Sequence, residues 1–342
     1  MPMKRLFLTL ALMLATGVFA SLAAAQQTAA AGDSPLDARE MRVWLMRIHE
    51  AASHRNFQGT FVVSSGTIMS SSRIAHFCVG ASQFERVESL DGQPRQVFRH
   101  NQLVHTLWPK SRVALVEERR LLTTFPALLQ AGDDRIADHY EVRAQGAQRM
   151  AGRDADVLLL RPRDTLRYGY RLWADHETGL LLRVEVIGEH GEVIESSAFS
   201  DVTVGIKAQP ESVLQPMKKL DGYRVLRPTL TPTRFDAEGW TLRQGVPGFE
   251  PVSCVKRPLD DADGDEGATA TQVLQSIYSD GLTYVSVFIE PYDAGRHRRG
   301  MQTSIGATQT LMRRQGNWWV TVVGDVPATT LRQFANALEY KK

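Results

Sequence analysis

Histidines next to acidic residues are the first candidates for chemistry in this chain. The run His49-Glu50-Ala51-Ala52-Ser53-His54 resembles a zinc-protease motif, in which two histidines one helical turn apart bind the metal. Here the histidines are five residues apart, which separates them by about 140° around a helix of 3.6 residues per turn. Ser53 occupies the position where the second histidine would be needed. The spacing therefore argues against a zinc site.

Other catalytic patterns are absent from the sequence. His100 and His105 lie in one predicted strand, 96–107, and their spacing of five places them on opposite faces. The chain has no Gly-x-Ser-x-Gly turn, no phosphate-binding loop and no Cys-x-x-Cys pair. We therefore predict that the protein is not an enzyme, needs no cofactor or metal, and acts through surfaces and cavities. An exported hydrolase that uses these histidines is the alternative.

Two cysteines, Cys78 and Cys254, are far apart in the chain and are expected in different domains. An oxidising compartment permits a disulfide between them, which would join the domains. Two buried free thiols are an equal alternative, because the sequence does not supply the geometry that a disulfide requires. Two cysteines at this separation do not form a metal site.

Two features near the end of the chain are candidates for partner binding. The basic run 296–299 can hold a phosphate or an acidic partner, although such runs are more often solvated. Trp318 and Trp319 are adjacent on a predicted strand, so one indole is expected in the core and the other is available to a partner. The candidate partner-binding residues are Arg296, Arg298, Arg299, Trp318 and Trp319.

The elements that position these residues are mostly strands. Apolar and polar residues alternate with period two in 168–173 and 181–186, and turn-forming residues follow each segment. A long run of sequential antiparallel strands, from 56 to 204, predicts a strongly curved sheet or half-barrel. A helix from Ser34 to Ala52 precedes it and has one apolar face.

A curved sheet with a helix against its concave side predicts an apolar interior that can hold a lipid. The candidate cavity residues are Trp44, Ile48, Phe61, Val63, Leu103 and Leu107. A filled structural core explains these residues equally well.

Prolines and an Asp-Gly pair mark 208–232 as a linker. Strand patterns resume from 233, and the chain ends in a helix after Pro327. We therefore predict an α+β protein with two domains: a half-barrel at 33–207 and a smaller antiparallel sheet with a terminal helix at 233–342.

Residues 1–25 have the features of a secretory signal peptide. Lys4 and Arg5 precede an apolar run from Leu6 to Ala20, and small residues at 23–25 provide a cleavage site. The apolar run is shorter than the roughly 20 residues of a membrane-spanning helix, which would be the alternative. We expect cleavage after Ala25 and a periplasmic location.

Cleavage balances the charge of the protein. The chain has 40 Lys and Arg and 38 Asp and Glu, and the loss of Lys4 and Arg5 leaves 38 of each. A neutral chain lacks the positive field that nucleic-acid binding needs, so we do not expect a nucleic-acid partner.

Several segments resemble the RseB/MucB family of periplasmic regulators. They are QRMAGRDADVLLLRPRD at Gln148–Asp164, YGYRLWAD and TGLLLRVEV after it, FQGTFV at Phe57–Val62, and NWWVTVVGDVPATTLRQFANALE from Asn317. The similarity covers nearly the whole chain after the signal peptide, in order.

The resemblance implies a half-barrel domain similar to periplasmic lipoprotein carriers and a smaller domain on a linker. It also implies a partner, the periplasmic region of a membrane anti-sigma factor of the RseA/MucA type, which restrains the envelope-stress factor sigma-E. Binding would protect that region from regulated proteolysis, and lipid or lipopolysaccharide fragments would cause release. A periplasmic lipid or lipoprotein carrier without a signalling role is the alternative. A homo-oligomer is compatible with either reading, and the family implies no catalytic residue.

Overall fold

A computed structural model describes residues 35–119, 125, 135–258, 272–297 and 299–341, so the predicted signal peptide lies outside the described residues. The helices in this part of the chain are α1 (Ala38–His54), α2 (Ile136–His139), α3 (Glu211–Lys218) and α4 (Ala328–Ala337). None of them is long and apolar enough to cross a bilayer.

Twelve strands form one large sheet. They are β1 (Phe57–Ser65), β2 (Ile68–Val79), β3 (Ser82–Ser89), β4 (Gln96–His100), β5 (Leu103–Trp108), β6 (Val113–Glu118), β7 (Tyr140–Met150), β8 (Arg153–Pro162), β9 (Gly169–Asp175), β10 (Leu181–Ile187), β11 (Val193–Val204) and β12 (Arg224–Leu226). Their spatial order is β12-β6-β5-β4-β3-β2-β1-β11-β10-β9-β8-β7. Two runs of hairpin-connected strands therefore meet at the antiparallel pair of β1 and β11.

Seven further strands form a small sheet in the order β13-β15-β16-β17-β20-β19-β18. They are β13 (Thr231–Pro232), β15 (Glu250–Pro258), β16 (Gln272–Ser279), β17 (Tyr284–Pro291), β18 (Met301–Ile305), β19 (Thr308–Gln315) and β20 (Trp318–Gly324). A separate pair joins β14 (Trp240–Leu242) to β21 (Leu338–Tyr340). Helix α4 buries Leu331 and Phe334 against the small sheet. The predicted α+β architecture is confirmed.

Helix α1 begins later than the sequence suggested. Asp37 caps it, because its side chain accepts hydrogen bonds from the backbone of Arg39 and Glu40, and the Glu40 carboxylate accepts from the Asp37 backbone. This reciprocal pairing satisfies the free N–H groups of the first turn. The buried face of the helix, which includes Met41 and Ile48, packs against the large sheet.

The strand predicted over 96–107 is wrong, because it is a hairpin of β4 and β5. Asn101 turns the chain with a φ of 55°, a left-handed conformation that asparagine tolerates better than most residues. His100 and His105 therefore lie on neighbouring strands and on the same face, since His105 pairs with Phe98 two residues before His100. His100 stacks on Phe84, with 4.6 Å between the ring centroids, so it is a packing residue.

The range predicted as a linker contains regular structure. Helix α3 buries Val213 and Met217 in a core with Phe98 and Leu107, on the face of β2–β6 that we call the outer face. Strand β12 then pairs in parallel with β6 at the edge of the large sheet. Helix α3 therefore covers the large sheet and β12 extends it, and the chain crosses to the small sheet only after Leu226.

A buried ion pair joins the two sheets. Arg167 precedes β9, Asp280 follows β16, and the Arg167 Nε lies 2.7 Å from the Asp280 carboxylate with both side chains fully buried. The Asp280 carboxylate also accepts the Tyr140 hydroxyl at 3.3 Å, and Arg167 donates to the Pro247 carbonyl at 2.9 Å. Each charge is therefore compensated, which a buried charge requires.

We predict that Val213→Asp unfolds the region around α3, because it places a carboxylate without a partner among apolar side chains. Chemical denaturation should show a loss of about 3 kcal/mol or more in the free energy of unfolding. Glu211→Ala, at an exposed position of the same helix, is the control and should cause little change. Equal stability of both variants would mean that α3 is a free linker.

We predict that Arg167→Met destabilises the protein by about 3–5 kcal/mol, because it leaves Asp280 buried without its cation. The double variant Arg167→Met/Asp280→Asn should recover much of this loss, since neither side chain then carries a charge. Arg73→Met is the matched control, because its pair with Glu88 is largely exposed and should contribute little. Urea denaturation that ranks Arg167→Met with Arg73→Met would contradict the assignment.

Candidate ligand cavity and partner surface

A cavity of about 670 Å³ lies between the two sheets. One wall is the large sheet, whose face toward the cavity we call the cavity face. The other wall comes from the strands of the small sheet and the segments that connect them. Its residues are Leu282, Thr283, Tyr284, Ser286, Thr308, Val323, Gly324 and Asp325. Any molecule that fills this space contacts both sheets.

Two of the predicted cavity residues line the cavity. Phe61 and Val63 lie on β1 and point into it. Leu103 and Leu107 do not, because alternate residues of β5 face opposite sides and the lining residues are Val104, Thr106 and Trp108. Leu107 instead packs beneath α3. The sequence could not separate the two faces, because both faces of β5 are covered and apolar residues occur on each.

The two predicted residues of α1 belong to the core beside the cavity. Ile48 is buried together with Leu158 and Leu172 of the large sheet, and Trp44 packs against the edge of this cluster. The Arg47 guanidinium lies 5.2 Å from the centre of the Trp44 ring. For these two positions the structure corresponds to the filled core that was the alternative.

Three charged side chains form a buried group on the cavity face of β2, β3 and β4. Glu85 lies between His76 and Arg99, and its carboxylate oxygen is 3.5 Å from a nitrogen of each. Glu85 and Arg99 line the cavity, whereas His76 is almost completely buried and stacks on Phe57. The strand register explains the group, because His76 pairs with Glu85 and Glu85 with Arg99.

The ionisation of this group follows from its contacts. Burial alone would lower the pKa of His76, but hydrogen bonds to Cys78 and Glu85 and the charge of Glu85 outweigh it and raise the pKa to about 9. Burial would raise the pKa of Glu85, yet His76 and Arg99 lower it below its ordinary value. At neutral pH the group therefore holds two cations and one carboxylate.

Acidic residues occupy the side of the cavity next to the small sheet. Glu195 accepts a hydrogen bond from the Ala307 backbone, and the Asp325 carboxylate accepts one from the Thr308 hydroxyl at 2.6 Å. Burial, together with the charge of Asp325, raises the pKa of Glu195 above its ordinary value. The cavity is therefore polarised, with the arginines of β4 and its neighbours opposite these acids.

Both cysteines are free thiols in the structure, so the disulfide between domains is not formed. Cys78 lies 3.0 Å from the Ser53 carbonyl and 3.4 Å from the His76 Nε2. Cys254 lies on β15 of the small sheet, where burial raises the pKa of its thiol. The two thiols therefore lie on different sheets, each in its own local environment.

The predicted partner residues are mostly occupied within the small sheet. Arg296 pairs with Glu290 at 3.3 Å, and Trp319 is buried against His297, with 4.8 Å between the ring centroids. Trp318 packs between aromatic rings of β14 and β21. Arg298 lies outside the described residues. Arg299 is exposed and has no ion pair with the described residues.

A different surface carries exposed apolar side chains from both sheets. The turn between β18 and β19 touches the turn between β1 and β2, because a Cβ on Gly306 would lie only 2.1 Å from the Ser65 hydroxyl oxygen. Exposed apolar residues flank this contact along the chain. They are Ile68 and Met69 at the start of β2, and Met301 and Ile305 on β18, each 53–70% exposed.

The backbone of β18 is also available for pairing. Among the described residues, β18 is the last strand of the small sheet and pairs only with β19. An exposed edge strand presents free N–H and C=O groups that an extended peptide can pair with. Met301, Ile305 and this edge were not predicted from the sequence. The sequence signal that could have indicated them is an apolar residue at each end of a short polar strand.

The histidines of the first motif do not form a metal site. The His49 Nε2 lies 3.3 Å from the Ser53 hydroxyl, and His54 pairs with Glu50 at 3.0 Å. Within the described residues, no group of three or more His, Cys, Asp or Glu side chains is arranged to hold a metal ion.

Arg99 and Glu85 are the functional candidates that sequence reasoning missed. Each is a charged residue that directly follows an aromatic residue in a strand, Arg99 after Phe98 and Glu85 after Phe84. Such residues are rarely buried without a partner, which is the signal that could have identified them.

Comparison with known proteins identifies relatives along almost the whole chain. The MucB/RseB N-terminal domain matches residues 40–217, and the MucB/RseB C-terminal domain matches residues 234–339. MucB of Pseudomonas aeruginosa, a regulatory protein of sigma factor AlgU, is 29% identical over 306 residues, which cover 85% of this chain and 88% of MucB. The sigma-E factor regulatory protein RseB of Escherichia coli K12 is 24% identical over 298 residues, covering 86% and 89% of the two chains.

Solved structures agree with these matches. MucB in complex with MucA(peri) superimposes with a TM-score of 0.64 at 27% identity, covering 88% of this chain and 98% of that chain. The Pseudomonas aeruginosa MucA/MucB complex gives a TM-score of 0.67 at 27% identity, covering 90% and 100%. The resemblance noted in the sequence is confirmed, and the chain belongs to the MucB/RseB family.

Proposed function

We propose that this protein is a periplasmic negative regulator of the sigma-E envelope-stress response. It binds the periplasmic region of a membrane anti-sigma factor of the RseA/MucA type and protects that region from regulated proteolysis. It acts by binding and not by catalysis. The observation that carries the proposal is family membership over both domains, together with a relative solved in complex with MucA(peri).

The surface at the contact of the two sheets suits such a partner. An extended segment that pairs with the edge of β18 would cover Met301 and Ile305, and it would reach Ile68 and Met69 on the large sheet. Removal of these side chains from water favours binding, and the backbone pairing fixes the segment in an extended form. Arg299, just before β18, adds a positive charge at the same edge.

We further propose that a lipid or lipopolysaccharide fragment binds in the cavity and weakens anti-sigma binding. The cavity volume of about 670 Å³ lies in the range of roughly 300–1,000 Å³ that small-ligand sites have. Because both sheets line it, an acyl chain inside favours the relative placement of the sheets that best accommodates the chain. The partner surface crosses the same boundary, so its affinity changes with that placement.

Thermodynamics limits how strong this coupling is. Each ligand changes the affinity of the other by the same factor, and typical coupling of about 1–3 kcal/mol corresponds to 5–150-fold. Only the difference in lipid affinity between the two arrangements shifts the population, however tightly the lipid binds.

A lipid or lipoprotein carrier is the second candidate, because a cavity in a half-barrel is what a carrier needs. The small sheet argues against it as the whole function. It closes one wall of the cavity through Leu282 and Thr283 and is fixed by the buried pair of Arg167 and Asp280. A carrier must load and unload its lipid, and a second domain that covers part of the cavity does not help either step.

We predict that the protein slows cleavage of the anti-sigma periplasmic region about tenfold or more at saturating concentration, because the bound segment is inaccessible to the protease. Cleavage is followed by electrophoresis with the purified site-specific protease. An unrelated substrate of the same protease controls for direct inhibition. Unchanged cleavage of the anti-sigma region under conditions where binding is complete would contradict the proposal.

We predict that Met301→Asp/Ile305→Asp weakens binding of the anti-sigma region about tenfold, because both side chains are exposed apolar contacts on the proposed surface. Val43→Asp/Met46→Asp, at similarly exposed positions on α1, should leave binding unchanged. Calorimetric titration measures both. Equal losses in the two double variants, or none in the first, would place the partner elsewhere.

We predict that Ser72→Trp abolishes the effect of a lipid A fragment on anti-sigma affinity, because Ser72 lines the cavity and the indole would occupy it. Arg73→Trp is the matched control. Its side chain is exposed on the opposite face of the same strand, so the lipid effect should persist. A lipid effect that survives Ser72→Trp would mean that the lipid acts at another site.

A further inference from the structure

We propose that Arg99 is the head-group site for an anionic amphiphile in the cavity, with the acyl chain along the apolar lining. The ligand class is a single-chain amphiphile with a carboxylate or phosphate head, whose oxygens accept hydrogen bonds from the guanidinium. This inference rests on the proposed function, because it names the class of molecule that the cavity takes and the residue that selects it.

The first argument is that Arg99 has an unpaired donor, its Nε, in a buried position. Its side chain is only 5% exposed and lines the cavity, and its Nη2 is 3.5 Å from Glu85, a long distance for an ion pair. Its Nε is buried without a hydrogen-bond partner among the described residues. Folded proteins rarely leave a buried N–H donor unpaired, and a charged donor least of all. The missing acceptor is therefore expected from a ligand.

The second argument is the charge of the group. His76 and Arg99 share the single carboxylate of Glu85, at 3.5 Å from each. His76 is protonated at neutral pH, since its pKa is raised to about 9 for the reasons given above. The Cys78 thiol beside His76 donates to the Ser53 carbonyl at 3.0 Å and is therefore neutral, and Phe57 stacks on the ring, so neither neighbour adds a second anion. The group keeps one positive charge that an anionic head would neutralise.

The third argument is that the cavity orients its ligand. Glu195 and Asp325 lie on the side toward the small sheet, where they would repel an anion. Arg99 lies on the opposite side, next to an apolar strip formed by Val97 in the same strand and by Val87 and Val104 in the two neighbouring strands. An amphiphile that entered head-first toward Arg99 would therefore place its chain between Phe61 and Val184, against the apolar residues of the wall.

Two other arginines line the cavity and serve as comparisons. Arg119 is 52% exposed in its side chain and donates to Glu117 at 2.8 Å, so its charge is already paired and solvated. Arg95 is exposed at the end of the segment before β4. Neither has the buried, unpaired donor of Arg99, so neither is expected to discriminate between head groups.

The test compares four probes by calorimetric titration of the full chain: palmitate, 1-palmitoyl lysophosphatidic acid, 1-monopalmitoylglycerol and inorganic phosphate. The expected Kd for the two anionic amphiphiles is about tenfold or more below that of the neutral monoglyceride, as for a hydrogen bond to a charged group. Inorganic phosphate alone should bind far more weakly, because it buries no chain. The two anionic arms distinguish a carboxylate from a phosphate head.

Arg99→Met should reduce the preference for anionic heads to about twofold or less and leave monoglyceride binding unchanged. Glu85 keeps His76 as its partner in this variant, so no carboxylate is left unpaired. Arg99→Gln, which keeps a polar but uncharged side chain at the position, tests the same point if Arg99→Met does not fold. Arg119→Gln is the matched control and should keep the full preference.

The inference is overturned by the absence of a head-group preference in the unmodified protein, by a preference that survives in both Arg99 variants, or by an equal loss in Arg119→Gln. Phosphate binding at Arg99 that is independent of an acyl chain would also overturn it, since the site would then hold a free anion. Protection of the anti-sigma region is measured without lipid, so its failure and the failure of this site are separate results.

Discussion

The structure depends on the closure of the cavity face of the large sheet by the small sheet. The large sheet has twelve strands in the described part of the chain, and its apolar inner residues must be covered, for which the chain provides two elements. Helix α1 packs against part of the inner face, and the small sheet encloses the remaining space. The buried pair of Arg167 and Asp280 fixes this arrangement, because neither charge is stable in the interior without the other. Hydrogen bonds from Thr330 to the Leu166 carbonyl and from the Ala307 backbone to Glu195 join the sheets as well.

This arrangement explains how binding at one place can affect another. Strand β18 and the turn after it lie at the boundary between the sheets, as the close approach of Gly306 to Ser65 demonstrates. The cavity lies at the same boundary. Under the proposed function, a ligand in the cavity and a segment on the surface would both respond to one variable, the relative placement of the two sheets. No chain of intermediate contacts is needed between the two sites, and the coupling can be read as a population shift between two arrangements.

Much of the fold was accessible from the sequence, and the reasons are local. Period-two alternation with turn residues between segments identified most strands of the large sheet, and helices α1 and α4 were visible from their apolar spacing. The hairpin at Asn101 was missed because a single residue with positive φ reverses the chain inside a continuous apolar run. The range 208–232 was read as a linker because its prolines hide a helix with only two buried side chains, Val213 and Met217.

The site was less accessible, because it is made by contacts between residues far apart in the chain. The pair of Arg167 and Asp280 joins residues separated by 113 positions, and no local pattern marks them as partners. Leu103 and Leu107 were assigned to the wrong face because α3 makes the outer face as apolar as the inner one. Phe61 and Val63 line the cavity, since both lie at alternate positions of β1. The position of Arg99 beside Glu85 follows from the register between β3 and β4, which only the structure supplies.

The most direct test of the account is a closed thermodynamic cycle for the full chain, the anti-sigma periplasmic region and one anionic amphiphile. The affinity for the amphiphile is measured by titration with and without saturating anti-sigma region, and the affinity for the anti-sigma region with and without saturating amphiphile. We predict that each ligand weakens the other by the same factor, about fivefold or more. Affinities that are independent of each other, while both ligands bind, would contradict the claim that the cavity and the partner surface share one boundary between the sheets.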